Sequence, residues 1–299
     1  MNMVEVKGVT KRFGKFTALN GIDLEVKKGE VYGFIGPNGA GKSTTIRVLL
    51  GIIQATSGTA KIFGKDVWKD AVEIHRKVVY VPGDVHLWEN LTGGEIIDTF
   101  LKLRGGINKE KRDALIEKFK LDPRKKAGTY SKGNRQKVAL IAAFASEADL
   151  FILDEPTSGL DPLMENIFQQ CVEEVKYEGK SVLLSSHILS EVEKLCDRVG
   201  IIRQGEIIET GTLDELRHLT RTNIIIETEK SAATLSDQSG IHQFTEEAGV
   251  YSFQVDPEKL STVMLKVSEL GVKRIESTPP TLEDLFMRHY ETDNVAEKR

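Results

Sequence analysis

Cysteine is close to absent: Cys171 and Cys196 are the two in 299 residues, and no C-x-x-C brings thiols together. That excludes a disulfide scaffold and leaves thiolate metal binding without support; buried thiols in a reducing compartment are expected. Long apolar runs are missing too. The longest, residues 138–145, falls far short of the roughly 20 residues that span a bilayer. Positive charge is not in excess, with 41 Lys+Arg against 45 Asp+Glu and a net charge of −4. Residues 1–219 are nearly neutral and 220–299 acidic. Neither part offers the concentrated positive field that nucleic-acid binding normally needs. The opening Met1-Asn2-Met3-Val4-Glu5-Val6-Lys7 alternates charged and apolar residues and lacks a signal-peptide core. Internal repeats and low-complexity stretches are not found. The expectation is a soluble, cytoplasmic protein, long enough for one large domain or two smaller ones.

What is present is organised around Gly36-Pro37-Asn38-Gly39-Ala40-Gly41-Lys42-Ser43-Thr44, a full G-x-x-x-x-G-K-[ST] pattern. Val31-Tyr32-Gly33-Phe34-Ile35 reads as a buried strand entering it, and Thr45-Ile46-Arg47-Val48-Leu49-Leu50 as a helix leaving it. Glycines let the backbone wrap an anion, which aims N–H groups inward, and the helix start adds partial positive charge there. Lys42 brings a point charge to the β- and γ-phosphates, and the Ser43 hydroxyl can take a place on Mg²⁺. An ordinary Gly-rich turn before a solvated lysine does not account for strand, loop, lysine, hydroxyl and helix in this order. The stretch is read as a nucleoside-triphosphate site.

Along the chain, Val4-Glu5-Val6 and Ile22-Asp23-Leu24-Glu25-Val26 alternate as half-buried antiparallel strands do. Phe13, between them, can stack on an adenine ring or pack in the core. A strand and turn follow at residues 60–64, and a buried strand at Val78-Val79-Tyr80-Val81. Residues 91–126 are expected to be mostly helical, with Ile96, Ile97, Phe100, Leu101 and Leu103 on one face. A helix is expected from Lys137 to about Ser146. The apolar strand at 149–155 ends in Asp154 and Glu155, Pro162 opens a helix, and the strand at 181–185 runs into Ser186-His187. Strands alternating with helices describe an open α/β sheet, whose ligands sit beyond the carboxyl ends of the strands. Gly36, Asp154, Glu155 and His187 all fall at such ends. Past Thr212, strands at 224–227, 250–255 and 272–275, a helix from Pro257 and a near capping box at Thr281-Leu282-Glu283-Asp284 suggest a small α+β domain. It has no catalytic constellation of its own.

Opposite a phosphate loop, Asp154 can hold Mg²⁺ directly or through water. Glu155 can polarise a water for attack on the γ-phosphorus, and His187 can hold that water against the phosphate. With these residues and the turn Ser158-Gly159-Leu160-Asp161, residues 3–219 resemble the nucleotide-binding subunit of an ABC transporter. The resemblance implies a P-loop NTPase fold of class α/β. Its nucleotide-binding domain (1–219) would carry antiparallel β and helical subdomains (the latter about 84–146), followed by a small C-terminal α+β domain (220–299). It implies ATP and Mg²⁺ as ligands, Glu155, His187 and Lys42 as catalytic, and Ser43, Asp154 and Asp84 at the metal. Phe13, the loop from Gly36 to Thr44, Ser131, Gly133 and Asp161 would bind nucleotide. Tyr130-Ser131-Lys132-Gly133-Asn134 stands where the family usually has Leu-Ser-Gly-Gly-Gln, a segment that meets the γ-phosphate bound to the opposite subunit. Lys132 therefore replaces a glycine. The family's loop glutamine, expected after Val81-Pro82, is missing; Gly83 and Asp84 stand there, and Asp84 is the nearest candidate ligand.

The same resemblance implies a homodimer, or a pair with a related ATPase subunit, closing on two ATP. It also implies a separately encoded transmembrane permease subunit and attachment at the inner face of the cell membrane. Residues 220–299 resemble the extension on some bacterial exporters of drugs or lipids, which favours export. Trp88 is then either core or part of a groove that receives a membrane partner's helix. A soluble ABC-type ATPase acting on the ribosome or DNA is the rival, disfavoured by one phosphate loop, no sustained heptads and an acidic tail. A small-molecule phosphotransferase would leave the Ser131 segment unexplained.

Overall fold

Apolar–polar alternation gives β1 (Asn2–Phe13) and β2 (Phe16–Lys27) a buried and a solvated face, and they pair antiparallel with Val4 opposite Val26. In the computed structural model, which describes residues 2–218 and 221–278, the next strand is of another kind. β3 (Val31–Ile35) is buried at every position, as a strand covered on both faces must be. It enters the phosphate loop, and α1 (Lys42–Leu49) leaves it. β4 (Ser57–Ile62) and the short β5 (Lys65–Asp66) complete an antiparallel sheet of order β2-β1-β4-β5. Ile46, Val48 and Leu49 of α1 share one core with Leu19, Leu24 and Ile62 of that sheet.

α2 (Ala71–His75) and β6 (Val78–Val81) precede a helical region made of α3 (Gly93–Leu103), α4 (Lys109–Lys118) and α5 (Lys132–Phe144). Thr92 and Glu95 form a reciprocal capping box on α3. The helix expected from Lys137 begins earlier, because Ser131 caps it and the Lys132–Gln136 stretch is its first turn. Ile96, Ile97 and Leu101 are buried as expected, but Phe100 is 37% and Leu103 76% exposed. Periodicity says which residues share a face, not how far along a helix its neighbours reach.

β7 (Leu150–Asp154), α6 (Pro162–Tyr177), β8 (Ser181–Ser186), α7 (Leu189–Leu195), β9 (Arg198–Arg203) and β10 (Glu206–Thr212) finish the first part. The central sheet has the order β10-β9-β3-β8-β7-β6. From β9 to β6 its pairs are parallel, with Ile35 beside Ser186, Asp154 beside Ser185 and Val81 beside Leu153. Cys171 and Cys196 are free and buried.

The chain divides between residues 210 and 211 into two compact units. After α8 (Leu213–His218), the second contains β11 (Thr222–Thr228), β12 (Ile241–Glu247), β13 (Val250–Val255), α9 (Leu260–Ser268) and β14 (Val272–Thr278). The strands make an antiparallel sheet of order β12-β13-β11-β14. Val263 and Val267 of α9 pack on Ile224, Ile226, Phe253 and Val255. The capping box expected at Thr281–Asp284 lies outside the described residues.

Candidate functional site

Because β3, β8, β7 and β6 are neighbours running the same way, their carboxyl ends form one row. Along it stand the phosphate loop, Ser186-His187, Asp154-Glu155 and Pro82-Gly83-Asp84. Within the loop Gly41 has φ +118°, a conformation closed to residues with a side chain, and it starts α1 with no side-chain cap. The first-turn amides of α1 are therefore available to an anion. Ser43, Asn38 and Gly39 are exposed, whereas Lys42 is 5% exposed. Its ammonium donates to the carbonyls of Gly36 (2.5 Å) and Pro37 (3.3 Å) and lies 3.6 Å from Glu155 Oε1. Burial pulls its pKa down, while the Glu155 and Asp154 carboxylates push it back up.

Asp154 is buried and accepts a hydrogen bond from the Ser185 hydroxyl on the adjacent strand. Glu155 sits at φ +47°, a strained conformation for a residue with a side chain, costing on the order of 1–3 kcal/mol. It is held there by its N–H donating to the Ser185 carbonyl (2.9 Å) and its carbonyl accepting from Ser158 N–H (3.1 Å). The turn directs its carboxylate between Lys42 and His187: Oε1 is 3.6 Å from Lys42 Nζ and 3.3 Å from His187 Nδ1. His187 is half-exposed. Three strand ends thus converge on one carboxylate oxygen.

The other residues singled out from sequence make their own contacts. Among the described residues no hydrogen bond or ion pair joins them to this cluster. Ser131 caps α5, accepting from Asn134 N–H (3.3 Å), and Asp161 caps α6, accepting from Met164 N–H (3.0 Å). Gly133 lies so close to the Gly159 carbonyl that a side chain would collide with it. Lys132 Nζ donates to Ser158 Oγ (2.7 Å), so the Ser131 segment and the Ser158–Asp161 turn touch within one chain. Phe13 is half-exposed, with Lys11 Nζ 4.9 Å from its ring centroid. Asp84 is exposed, its carboxylate 3.1 Å from His86 Nε2. Trp88 is exposed and stacks on Phe100 at 5.7 Å. Trp88 stands at a depression of about 370 Å³ that Glu89, Asn90, Leu91 and Thr99 also line.

Sequence reading missed the supports of these groups. Ser185 opens the serine pair that ends β8 just before His187, and that pair was the available signal. Gln136 is buried and donates to the Pro156 carbonyl (2.9 Å), tying α5 to the loop after Glu155. Nothing in its helical position marks it out.

The ABC transporter family profile matches residues 19–158, and the C-terminal domain of DrrA1-3-like ATP-binding proteins matches residues 211–290. The bacitracin transport ATP-binding protein BcrA of Enterococcus faecalis is 32% identical over 295 residues, covering 96% of each chain. The linearmycin resistance ATP-binding protein LnrL of Bacillus subtilis is 36% identical over 219 residues, covering 72% of this chain and 70% of its own. Among solved structures, an ATP-binding subunit of an ABC transporter superposes with a TM-score of 0.68 at 32% identity, over 73% of this chain and 92% of that one. A dimeric ATP-binding cassette in a post-hydrolysis state, bound to ADP and Pi, superposes with a TM-score of 0.65 at 26% identity, over 71% and 99%.

Proposed function

This chain belongs to the family of ABC transporter ATP-binding proteins and is an ATPase; from that premise we propose that it powers export through a separately encoded membrane subunit by closing as a dimer on ATP. The observation that carries the reading is the Glu155 carboxylate lying between Lys42 and His187. Lys42 then serves the β- and γ-phosphates, Glu155 takes the proton of the attacking water, and His187 holds that water and the γ-phosphate in register. The loop from Gly36 to Thr44 cradles the phosphates through its amides. Phe13, exposed at its strand end, offers a face to the adenine ring.

The donors fit a hard divalent cation: a hydroxyl at Ser43 and a carboxylate at Asp154, oriented by Ser185. Among the described residues no group of three His, Cys, Asp or Glu side chains forms a cage of its own, so Mg²⁺ would be held jointly with the phosphates. When bound it neutralises charge on the transferring phosphoryl group. Asp84, turned to His86, is the proposed substitute for the loop glutamine.

Ser131, Gly133 and Asp161 lie at two helix starts that touch through Lys132 and Ser158, a surface suited to meet the triphosphate held by a second copy or a related subunit. The exposed Trp88, stacked on Phe100 and lining the depression, suits a helix of the membrane subunit. Among the described residues no helix is long and apolar enough to cross a membrane itself, which fits a peripheral subunit on the inner face. Export of an amphiphilic drug or lipid is supported by the relatives that transport bacitracin or confer linearmycin resistance, and residues 211–299 are proposed as the accessory domain such subunits carry.

Glu155→Gln tests the reading. Turnover should fall by roughly 10²–10⁴-fold, the contribution of a positioned base, while ATP binding persists and an ATP-bound dimer accumulates on size-exclusion chromatography. A monomer with full ATPase activity would sink both the base and the dimer.

A further inference from the structure

Beside His187 lies a buried carboxyl that the chemistry above does not use. Glu191, in the first turn of α7, is 5% exposed. Its Oε2 accepts from the Ser186 hydroxyl at 2.9 Å, and the same Ser186 oxygen accepts from the Ile188 N–H at 2.9 Å. The residues on both sides of His187 are thereby tied to one hydroxyl, which Glu191 anchors to the helix. Its other oxygen, Oε1, is buried with no hydrogen-bond partner. Thr157, in the loop that follows Glu155, is another hydroxyl acting on the carboxyl. Glu165 of α6, His187 and the buried Cys196 are its charged or titratable neighbours. Burial raises its pKa and Glu165 adds to that; the Ser186 and Thr157 hydroxyls and His187 act the other way.

A buried polar group with an unmade bond calls for a reason, because an apolar side chain of similar volume would fill the space without desolvating a carboxyl. Here the reason is reach. From α7 its carboxyl reaches the Ser186 hydroxyl and, through it, the Ile188 N–H, so it holds the segment that carries the histidine. We propose that Glu191 is a positioning residue that fixes the His187 loop on α7 and so sets the separation of His187 from Glu155, the two groups that handle the attacking water. This rests on the reading of His187 and Glu155 given above. The relation is geometric: Glu191 touches neither ATP nor water, and acts by limiting the positions His187 can take. A histidine freed from that limit spends less time facing the γ-phosphate, which lowers turnover more than nucleotide affinity.

The test uses the full chain with steady-state ATPase kinetics of Glu191→Ala, Glu191→Gln, Ser186→Ala, His187→Ala and the Glu191→Ala/His187→Ala pair. Glu191→Ala should lower kcat by about tenfold, less than the roughly 10²–10⁴-fold of a positioned acid–base group, with KM for ATP changed by no more than about twofold. Glu191→Gln, which still accepts from Ser186, should recover most of that loss. Ser186→Ala cuts the same link from the other side and should lower kcat in the same direction; it carries the test if Glu191→Ala does not fold. The double variant should be no slower than His187→Ala alone, because residues acting through one group are not additive. Wild-type turnover in both Glu191→Ala and Ser186→Ala, equal damage from Gln and Ala, or an additive double variant overturns the proposal while leaving the site intact. If His187→Ala itself turns over normally, the reading of the site fails and the inference falls with it.

Discussion

The two units of this chain bury different things. Among the described residues the first hides Glu30, Lys42, Gln136, Asp154, Thr157, Ser185, Ser186 and Glu191, while the second hides one polar side chain, Thr228. Each must find a partner, because a buried polar group left unsatisfied costs about 1–3 kcal/mol. A protein keeps such groups where their positions matter for more than stability. The second unit instead follows the ordinary rule for a small sheet: β11 and β13 bury alternate residues against α9. Among its described residues, Asp256 lies between Arg221 and His242, part-buried rather than in the core. The proposed chemistry sits in the unit that buries polar side chains, and the other unit buries an apolar core.

The largest effect that can break this comparison is at Lys42. Removing its ammonium by Lys42→Ala deletes the charge nearest the Glu155 carboxylate on the loop side. ATP turnover should fall by more than about a hundredfold, as when an electrostatic donor is removed elsewhere, and ATP binding should weaken. Unchanged turnover at saturating Mg-ATP would rule the loop out as catalytic. Phe253→Ala, in the core of the second unit, should cost about 3–5 kcal/mol there, since the ring is 1% exposed. Hydrogen exchange should show lost protection at β11 and β13 amides, with turnover unchanged. A fall in turnover with the first unit fully protected would mean that the second unit is more than a scaffold.

Most of the first unit was legible because its chemistry is written in local order. A phosphate loop needs glycine, lysine and hydroxyl at fixed spacing, and apolar strands ending in Asp154-Glu155 or Ser186-His187 announce a parallel sheet with a ligand at its edge. What brings those ends together is the strand order, and that is a long-range property: β3 lies between β8 and β9, far from both in sequence. The supports were harder to read for the same reason. Gln136 and Glu191 act on residues in other segments, so their neighbours in sequence carry no mark of their role. β12 was missed because Ile241-His242-Gln243-Phe244-Thr245-Glu246-Glu247 buries little more than Ile241. β9, whose core positions are a short apolar run between two arginines, carried a signal that the reading passed over.

The smallest expected effect is at Lys132, and it sharpens the comparison on the exposed edge of the first unit. The family's usual glycine here would leave the start of α5 uncharged; this chain puts an ammonium there and rests it on Ser158. That contact is exposed, so Lys132→Ala should change stability by about 1 kcal/mol or less. Its charge is another matter if the start of α5 faces a triphosphate held by a second subunit, because an ammonium then adds attraction without any change of fold. In a Glu155→Gln background, Lys132→Ala should weaken the ATP-driven dimer several-fold at low ionic strength. The difference should shrink as salt rises, since the Debye length falls to about 3 Å at 1 M. Analytical ultracentrifugation across a salt series measures both. A dimer equally stable with and without Lys132 at every salt would reduce the residue to a local tie between α5 and the Ser158 turn. A salt-independent loss would point to the geometry of that tie rather than to its charge.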